Sequence, residues 1–296
     1  MLYWQPPRRR AYAAAVTVLE MDTNAMQPNG LINLTTDFGQ VDAYVAMLKG
    51  VILTTNPAAQ ILDYAHEIEA QKVNQAAYLL HTGYRYFPNG TVHMVVVDPG
   101  VGSDRKAIAL RSPQWAFVAP DNGVLTYVWQ ELLAEHGRDA LELVELTESR
   151  WWLPTVSTTF HGRDIFAPVA ARIAAGVPLN EFGPALESPV LLPLSSPSQR
   201  LDGSWEGRII HVDHFGNCIT NFTRSFLDAH QADGTPVIAI LDQRIERIER
   251  TYGDSEWGTV MALIGSNERL ELAVRNGNAA RMLGVGVGDS LRIIFK

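Results

Sequence analysis

Short apolar runs alternate with longer segments of helical spacing between residue 31 and about residue 176. Predicted strands lie at 31–35, 59–64, 92–97 and 115–119, and predicted helices lie at 42–54, 69–83, 124–135 and 163–175. This alternation is typical of a mostly parallel β-sheet with helices on its faces. The run at 92–97 is apolar at nearly every position, so we expect that strand to be buried on both faces.

The pattern changes between residues 183 and 203, where Pro, Ser and Leu dominate without a helical period. Such a composition indicates a linker. Short β-like runs follow at 207–212, 237–241, 259–264, 270–274 and 290–295. Gly and Asn between these runs predict a small barrel or sandwich. We therefore expect an α/β domain at 31–183, a linker at 184–204 and a smaller all-β domain at 205–296.

The first 30 residues differ from the rest of the chain. Basic residues precede a short apolar run, as in a signal peptide, but the run soon meets Glu20 and Asp22 without a clean cleavage site. We interpret residues 1–30 as a disordered extension or a misplaced start. No later stretch approaches the roughly 18 apolar residues that a membrane helix requires, so we expect a soluble protein.

Charge and cysteine content narrow the possible partners. The chain carries 24 basic and 32 acidic side chains, for a net charge of -8, and so has no general basic surface for nucleic acid. Its single cysteine, Cys218, excludes an intrachain disulfide framework and a cysteine-rich metal site. These features fit a reducing, cytoplasmic compartment, and neither nucleic acid nor a membrane is an expected partner.

The predicted strand at 92–97 runs directly into Asp98 and a glycine-rich turn, and Arg105 follows shortly after. A buried strand that ends in a carboxylate is the usual way for an α/β enzyme to present chemistry at the carboxyl edge of its sheet. Gly100 and Gly102 allow the loop to turn tightly or to approach a ligand closely. The alternative is a strand-end turn with a surface ion pair.

Asp37 and His161 each have two interpretations. Asp37 could cap the helix predicted from residue 42, or it could accept two hydrogen bonds from a sugar diol. His161 could be a buried, satisfied histidine, or it could join Asp98 and Arg105 to orient and deprotonate a water molecule. Metal binding is a rival use, but the eight histidines show no recognised ligand spacing. A Gly-x-Ser-x-Gly elbow, typical of serine hydrolases, does not occur either.

Seven ordered motifs resemble the S-adenosylmethionine hydroxide adenosyltransferase family, the hydrolytic relatives of the bacterial fluorinase and chlorinase. They are TDFG at 36–39, DYAHEI at 63–68, VVDPGVGSDR at 96–105, APDNGVL at 119–125, TFHGRDIFAP at 159–168, DHFGN at 213–217 and LELAVRNGNAA at 270–280. The resemblance implies an N-terminal α/β domain, a C-terminal β-barrel and a homotrimer. In such a trimer the active sites lie between the N-terminal domain of one subunit and the C-terminal domain of its neighbour.

The resemblance also implies an activity. Family enzymes use water or hydroxide to displace methionine from C5′ of S-adenosylmethionine, which gives adenosine and L-methionine without a metal or an organic cofactor. By this likeness Asp98, Arg105 and His161 handle the water. The halogenating relatives lose this Asp and His pair, and the segment between Arg105 and Pro120 has no room for the fluorinase's extra loop. The alternatives are a halide-dependent adenosyl transferase and a non-catalytic sensor of adenosine or S-adenosylmethionine.

Likeness to the family further implies four substrate contacts. Asp37 would bind the ribose diol and Asn217 the adenine edge, because its amide offers both a donor and an acceptor. Asp213 would meet the methionine ammonium group and Ser266 the methionine carboxylate. The stretch at 266–269 departs from the glycine-containing form that is common in the family.

Two more residues, Tyr252 and Glu271, are implied at the same pocket. Tyr252 would pack against adenine, and Glu271 would lie beside it. Both assignments compete with ordinary roles, since a strand tyrosine more often belongs to the core and a strand glutamate more often faces solvent.

Overall fold

The computed structural model describes residues 26–296. Most of the predicted N-terminal extension, residues 1–25, therefore lies outside the described residues. Met26 is already buried in the core of the first domain. Within the described residues no helix is both long enough and apolar enough to cross a membrane.

The N-terminal domain is a six-stranded sheet with helices on both faces. Its elements are β1 (Leu31–Thr36), α1 (Tyr44–Thr55), β2 (Gln60–Ala65), α2 (Val73–Gly83), β3 (Val92–Val96), β4 (Ala107–Arg111), β5 (Ala116–Pro120), α3 (Thr126–His136), β6 (Glu142–Glu145) and α4 (Ala167–Ala174). The strand order is β2-β1-β3-β5-β4-β6, and β4 runs antiparallel to both of its neighbours. The other adjacent pairs are parallel, which confirms the predicted mostly parallel α/β sheet.

Strand β3 lies at the centre of this domain and is buried along its whole length, as predicted. Successive side chains of a strand point to opposite faces. Val92, Met94 and Val96 therefore pack into the core that contains α1 and α4, whereas Val95 packs into the core that contains α2 and α3. From β1 the chain crosses first to β2 and then back to β3 on the other side. The carboxyl ends of β1 and β3 thus flank the switch point where open α/β sheets bind ligands.

The C-terminal domain is all-β apart from two short α-helices and the 3₁₀ turns Gln231–Asp233 and Tyr252–Asp254. Its elements are β7 (Ser198–Gln199), β8 (Trp205–Val212), β9 (Cys218–Thr223), α5 (Arg224–Ala229), β10 (Pro236–Ile240), β11 (Gln243–Ile245), β12 (Ile248–Glu249), β13 (Val260–Ile264), β14 (Arg269–Val274), α6 (Ala279–Leu283) and β15 (Ser290–Phe295). The strand order is β11-β10-β15-β8-β9-β14-β13-β12. Its two edge strands, β11 and β12, follow each other closely in the chain, so the sheet nearly closes into the predicted barrel.

Three predicted segments differ in the structure. The helix predicted at 69–83 begins only at Val73, because Gln71 has a φ of 67°, which a right-handed helix cannot contain. The helix predicted at 163–175 opens with a π-helical turn, Gly162–Phe166, before α4. Within the predicted linker, Ser198–Gln199 pairs with β8 as strand β7.

Candidate active site

Asp98 and Arg105 form a desolvated ion pair in the loop between β3 and β4. Arg105 Nε donates to both carboxylate oxygens of Asp98, at 2.8 and 3.0 Å, and Arg105 Nη2 donates to Oδ2. The two side chains are only 10% and 5% exposed, and the guanidinium lies 5.2 Å above the ring of Phe166. The interpretation as a surface ion pair is therefore wrong. The two-pronged contact with Arg105 holds the carboxylate in one orientation.

His161 contacts this pair through Arg105. Its Nδ1 lies 3.0 Å from Arg105 Nη2. Since a guanidinium group only donates hydrogen bonds, Nδ1 must accept, and the proton of the neutral ring lies on Nε2. Burial of the imidazole, and next the charge of Arg105, lower the pKa of His161 against the opposing effect of Asp98. The ring is consequently neutral at pH 7.

Two contacts near its start fix the loop that carries His161. His161 immediately precedes the π-helical turn, an irregularity that is frequent at functional sites. On one side, fully buried Asp164 accepts hydrogen bonds from Ser157 N at 2.8 Å and from Arg163 Nε at 2.6 Å. On the other side, Gly102 packs so closely that a Cβ atom there would lie 2.2 Å from the carbonyl oxygen of Thr158. The loop at 98–105 and the loop at 157–161 are therefore packed directly against each other.

Asp37 follows β1 and faces the same cavity as Asp98 and His161. Its Oδ2 accepts a hydrogen bond of 2.8 Å from the backbone N–H of Gln71. Helix α1 begins after Ala43 and has no side-chain cap, so the interpretation of Asp37 as a helix cap is wrong. Asp37, Asp98 and His161 line one cavity of about 380 Å³. Aromatic rings also line it, those of Phe38, Tyr44 and Phe160, whose centroids lie 5.5 to 5.8 Å apart.

A second group of predicted residues surrounds the turn between β8 and β9. Asp213 Oδ1 accepts the backbone N–H groups of Phe215 and Asn217, at 2.9 and 2.8 Å, and Asp213 Oδ2 accepts the side-chain amide of Asn217 at 2.9 Å. The amide N–H that reaches Asp213 is thereby engaged in the free protein. The turn is preorganised, with the Asp213 carboxylate at its centre.

Tyr252, Ser266 and Glu271 lie near this turn. Together with Asp213 they line a cavity of about 360 Å³, which α2 of the N-terminal domain also lines. The Tyr252 hydroxyl donates to Glu271 Oε1 at 2.5 Å, and burial raises the pKa of the Glu271 carboxyl. Tyr252 is half exposed, so it is not a core residue. Glu271 is buried, so it does not face solvent.

The structure thus brings the predicted site residues together in two places. Asp37, Asp98, Arg105 and His161 form the N-terminal half-site, and Asp213, Asn217, Tyr252, Ser266 and Glu271 form the C-terminal half-site. Within residues 26–296 no residue lines both cavities.

The sequence analysis missed several residues that line these cavities. In the N-terminal half-site they include Gln71 and the three aromatic residues, and in the C-terminal half-site they include Tyr78 and His211, whose rings lie 4.8 Å apart. The motif at 159–168 contains Phe160, so that residue could have been found. Gln71 carries no comparable signal, since its backbone conformation, rather than its side chain, makes the contact with Asp37.

The donor sets of the two half-sites favour organic ligands. Among the residues that the structure describes, no three His, Cys, Asp or Glu side chains are grouped in a way that could hold a metal ion. The N-terminal half-site combines a carboxylate beside an aromatic wall with a fixed Asp–Arg–His cluster. The C-terminal half-site offers carboxylates, a phenol and an amide. Such groups can bind a cationic, hydroxyl-bearing molecule and can orient water beside it.

Comparisons with known proteins agree with the motifs. Residues 32–183 match the SAM hydroxide adenosyltransferase N-terminal domain, and residues 207–292 match the C-terminal domain of the same family. A curated relative from Salinispora tropica, named (R)-S-adenosyl-L-methionine hydrolase, is 37% identical over 273 residues, which cover 90% of this chain and 99% of the relative. A fluorinase from Nocardia brasiliensis is 28% identical and covers 92% of this chain and 98% of its own.

The fold agrees as well. A solved structure of an uncharacterized conserved protein from Thermotoga maritima superposes with a TM-score of 0.79 and 36% identity, covering 88% of this chain and 99% of that one. Domain matches, sequence relatives and fold therefore lead to one conclusion. As its motifs predicted, the chain belongs to the SAM hydroxide adenosyltransferase family.

Proposed function

We propose that this protein hydrolyses S-adenosylmethionine to adenosine and L-methionine. The observation that carries the proposal is the contact of Asp98, Arg105 and His161 at the wall of the cavity that also contains Asp37. The relatives named hydrolases are more similar to this chain than the relatives named fluorinases. A carboxylate and a neutral imidazole that contact the same guanidinium suit the handling of water.

The reaction is an in-line substitution at C5′. The oxygen of water forms a bond to C5′ as the bond from C5′ to sulfur breaks, and its electron pair leaves with sulfur as a neutral thioether. The leaving group needs no proton, so catalysis depends on placing the nucleophile, which can supply several kcal/mol. The positive charge of the sulfonium decreases in the transition state and is lost in the neutral thioether, and a site closed to bulk water favours that change.

The proton positions at His161 suggest how the water is held. His161 Nδ1 accepts from Arg105, which leaves the Nε2–H to donate to the oxygen of the water. Asp98 accepts a proton from the water, and this proton passes to solvent after C5′ has been attacked. Arg105 holds both groups and favours hydroxide electrostatically.

The remaining residues bind the substrate. Asp37 accepts hydrogen bonds from the ribose diol, Asn217 contacts the adenine edge and Tyr252 packs against the adenine ring. Asp213 binds the methionine ammonium group beside the buried Glu271, and Ser266 binds the methionine carboxylate. The two acidic groups of the C-terminal half-site suit the positive charges of the sulfonium and the ammonium.

One substrate molecule spans both half-sites in a homotrimer, where the N-terminal half-site of one subunit faces the C-terminal half-site of the next. Exposed apolar side chains near each half-site support this arrangement. Val41, Tyr44 and Met47 are exposed near the first, and Phe215 and Trp257 are exposed in the C-terminal domain. Head-to-tail contacts close into a ring when three equal rotations complete a full turn. The proposed location is the cytoplasm, because Cys218 is a free, buried thiol.

Chromatography of the reaction products tests the activity. The purified protein is incubated with S-adenosylmethionine in chloride buffer and in acetate buffer, and we expect adenosine and methionine at equal rates in both. A chlorinated nucleoside would instead identify a halide-dependent transferase, and bound but intact substrate would identify a sensor.

Two variants of one loop supply the matched control. Asp98→Asn should lower turnover by at least about a hundredfold, because the carboxylate that accepts the proton is lost. Asp104→Asn removes a carboxylate that is exposed in the same loop, and it should keep wild-type turnover. Equal rates for the two variants would contradict the role of Asp98.

A further inference from the structure

A chain of hydrogen bonds lies behind Asp37 and takes no part in the proposed chemistry. Thr36 Oγ1 lies 2.8 Å from His66 Nδ1, and His66 Nε2 lies 2.9 Å from Asp63 Oδ1. Lys49 Nζ lies 2.7 Å from the other Asp63 oxygen. Thr36 and His66 are 0% and 3% exposed, so the chain runs from the surface into the interior of the domain.

The direction of these hydrogen bonds follows from the chemistry of each group. A carboxylate only accepts, so in the neutral ring His66 Nε2 carries the proton toward Asp63. His66 Nδ1 then accepts from the Thr36 hydroxyl, whose oxygen accepts the backbone N–H of Phe38 at 3.3 Å. The carbonyl oxygen of His66 also accepts the backbone N–H of Gly39 at 2.8 Å. His66 therefore holds the segment 36–39 at two points.

Asp37 lies inside this held segment. The Thr36 hydroxyl and the His66 carbonyl fix its backbone on both sides, and the N–H of Gln71 fixes one oxygen of its carboxylate. Gln71 reaches that position with a φ of 67°, a conformation that costs a non-glycine residue about 1–2 kcal/mol. Both ends of Asp37 are thus restrained before any ligand binds.

We propose that Asp63, His66 and Thr36 are positioning residues that aim the Asp37 carboxylate at the ribose hydroxyls. This inference rests on the proposed function, which assigns the ribose to Asp37. A hydrogen bond weakens steeply when it is misaligned, and a site built to bind a hydroxyl strongly rejects a ligand that lacks it. Loss of the positioning chain should therefore reduce discrimination between nucleosides with and without the diol.

Calorimetric titration of the full-length oligomer with adenosine and with 2′,3′-dideoxyadenosine tests the inference. In His66→Gln and Thr36→Val we expect adenosine affinity to fall about tenfold, the size of one charge-assisted hydrogen bond, while affinity for the dideoxynucleoside stays unchanged. Thr36→Ser keeps the hydroxyl and should bind both nucleosides like the wild type. His81→Gln changes a histidine of α2 that is not part of this chain of hydrogen bonds, and it is the matched control.

Each other outcome has a definite meaning. An equal loss of affinity for both nucleosides would show a general structural role for His66. Unchanged affinity for adenosine would show that the chain of hydrogen bonds does not position Asp37. Asp37→Ala distinguishes the assignment of the ribose to Asp37 from the positioning role of the residues behind it. If it leaves discrimination intact, the ribose assignment fails; if it abolishes discrimination while His66→Gln and Thr36→Val preserve it, only the positioning role fails. Thermal unfolding identifies variants that do not fold, and Thr36→Val serves if His66→Gln is among them.

Discussion

At the scale of single residues, burial and then the charge of Arg105 favour the neutral form of His161. Burial and the Arg105 guanidinium both lower the pKa of the imidazole, which ordinarily lies near 6.5. The neutral ring with its proton on Nε2 is the form that the proposed mechanism uses. In the wild type, activity should therefore persist below pH 6.5 and fall only as the pH drops through the lowered pKa of His161.

Replacement of Arg105 by methionine tests the effect of its charge on the pKa of His161. Arg105→Met removes the charge that disfavours protonation, so the pKa of His161 should rise toward its ordinary value. Proton NMR of the ring measures the pKa directly and does not depend on activity, with His161→Gln identifying the resonance. The acid limb of the residual kcat/KM should move to higher pH in parallel. An unchanged or lower pKa in Arg105→Met would show that Arg105 has no such effect.

At the scale of elements, the contact between two loops determines the geometry of the Asp–Arg–His cluster. The loop at 98–105 carries Asp98 and Arg105, and the loop at 157–161 carries His161. They meet where Gly102 approaches the carbonyl oxygen of Thr158, and a Cβ atom at that point would lie 2.2 Å from the oxygen. Such a separation forces the backbone of one loop to move.

Gly102→Ala should therefore separate His161 from Arg105. We expect kcat to fall about tenfold to a hundredfold, because small misplacements of catalytic groups are costly. Gly176→Ala is the control, since Gly176 has a similarly positive φ of 95° but nothing within 4 Å of its Cβ position. It should lower the melting temperature without lowering kcat. Equal losses of kcat in the two variants would contradict the importance of the loop contact.

Elements with a strong local pattern could be predicted from the sequence only in part, since β4, Ala107–Arg111, is a largely apolar run that was not predicted. Strands β1, β3 and β5 are apolar runs, and all three were predicted. Strand β9, Cys218–Thr223, was missed because buried polar residues interrupt its pattern. Thr220 and Asn221 are satisfied by the carbonyl oxygens of Leu270 and Ser195, which are distant in the sequence. Local periodicity carries no information about such partners.

The candidate site, too, could be predicted only in part from the sequence. The resemblance of the motifs to the family implied that Asp98, Arg105 and His161 act together, but only the structure shows that their side chains meet. The contact of Thr36 with His66 could not be predicted, since it depends on the pairing of β1 with β2. That pairing contains an irregularity between Leu34 and Thr35, which long-range packing sets.

At the scale of the whole molecule, the separation of the two half-sites is the central feature. Each cavity contains only part of the groups that we propose bind S-adenosylmethionine, and within the described chain the two cavities share no lining residue. The proposed head-to-tail trimer resolves this by forming each site from two subunits. A variant with a defective N-terminal half-site should then be complemented by a variant with a defective C-terminal half-site.

Co-expression of Asp98→Ala with Asp213→Ala measures this complementation. Each variant alone should be inactive, whereas trimers mixed at random should recover about a quarter of the wild-type rate, because half of the N-terminal and half of the C-terminal half-sites are intact. Asp98→Ala co-expressed with His161→Ala is the control, since both changes lie in the N-terminal half-site and no intact site can form. Recovery in neither mixture would show that each chain forms its site alone. Recovery in the first mixture only would establish that every active site is shared between two subunits.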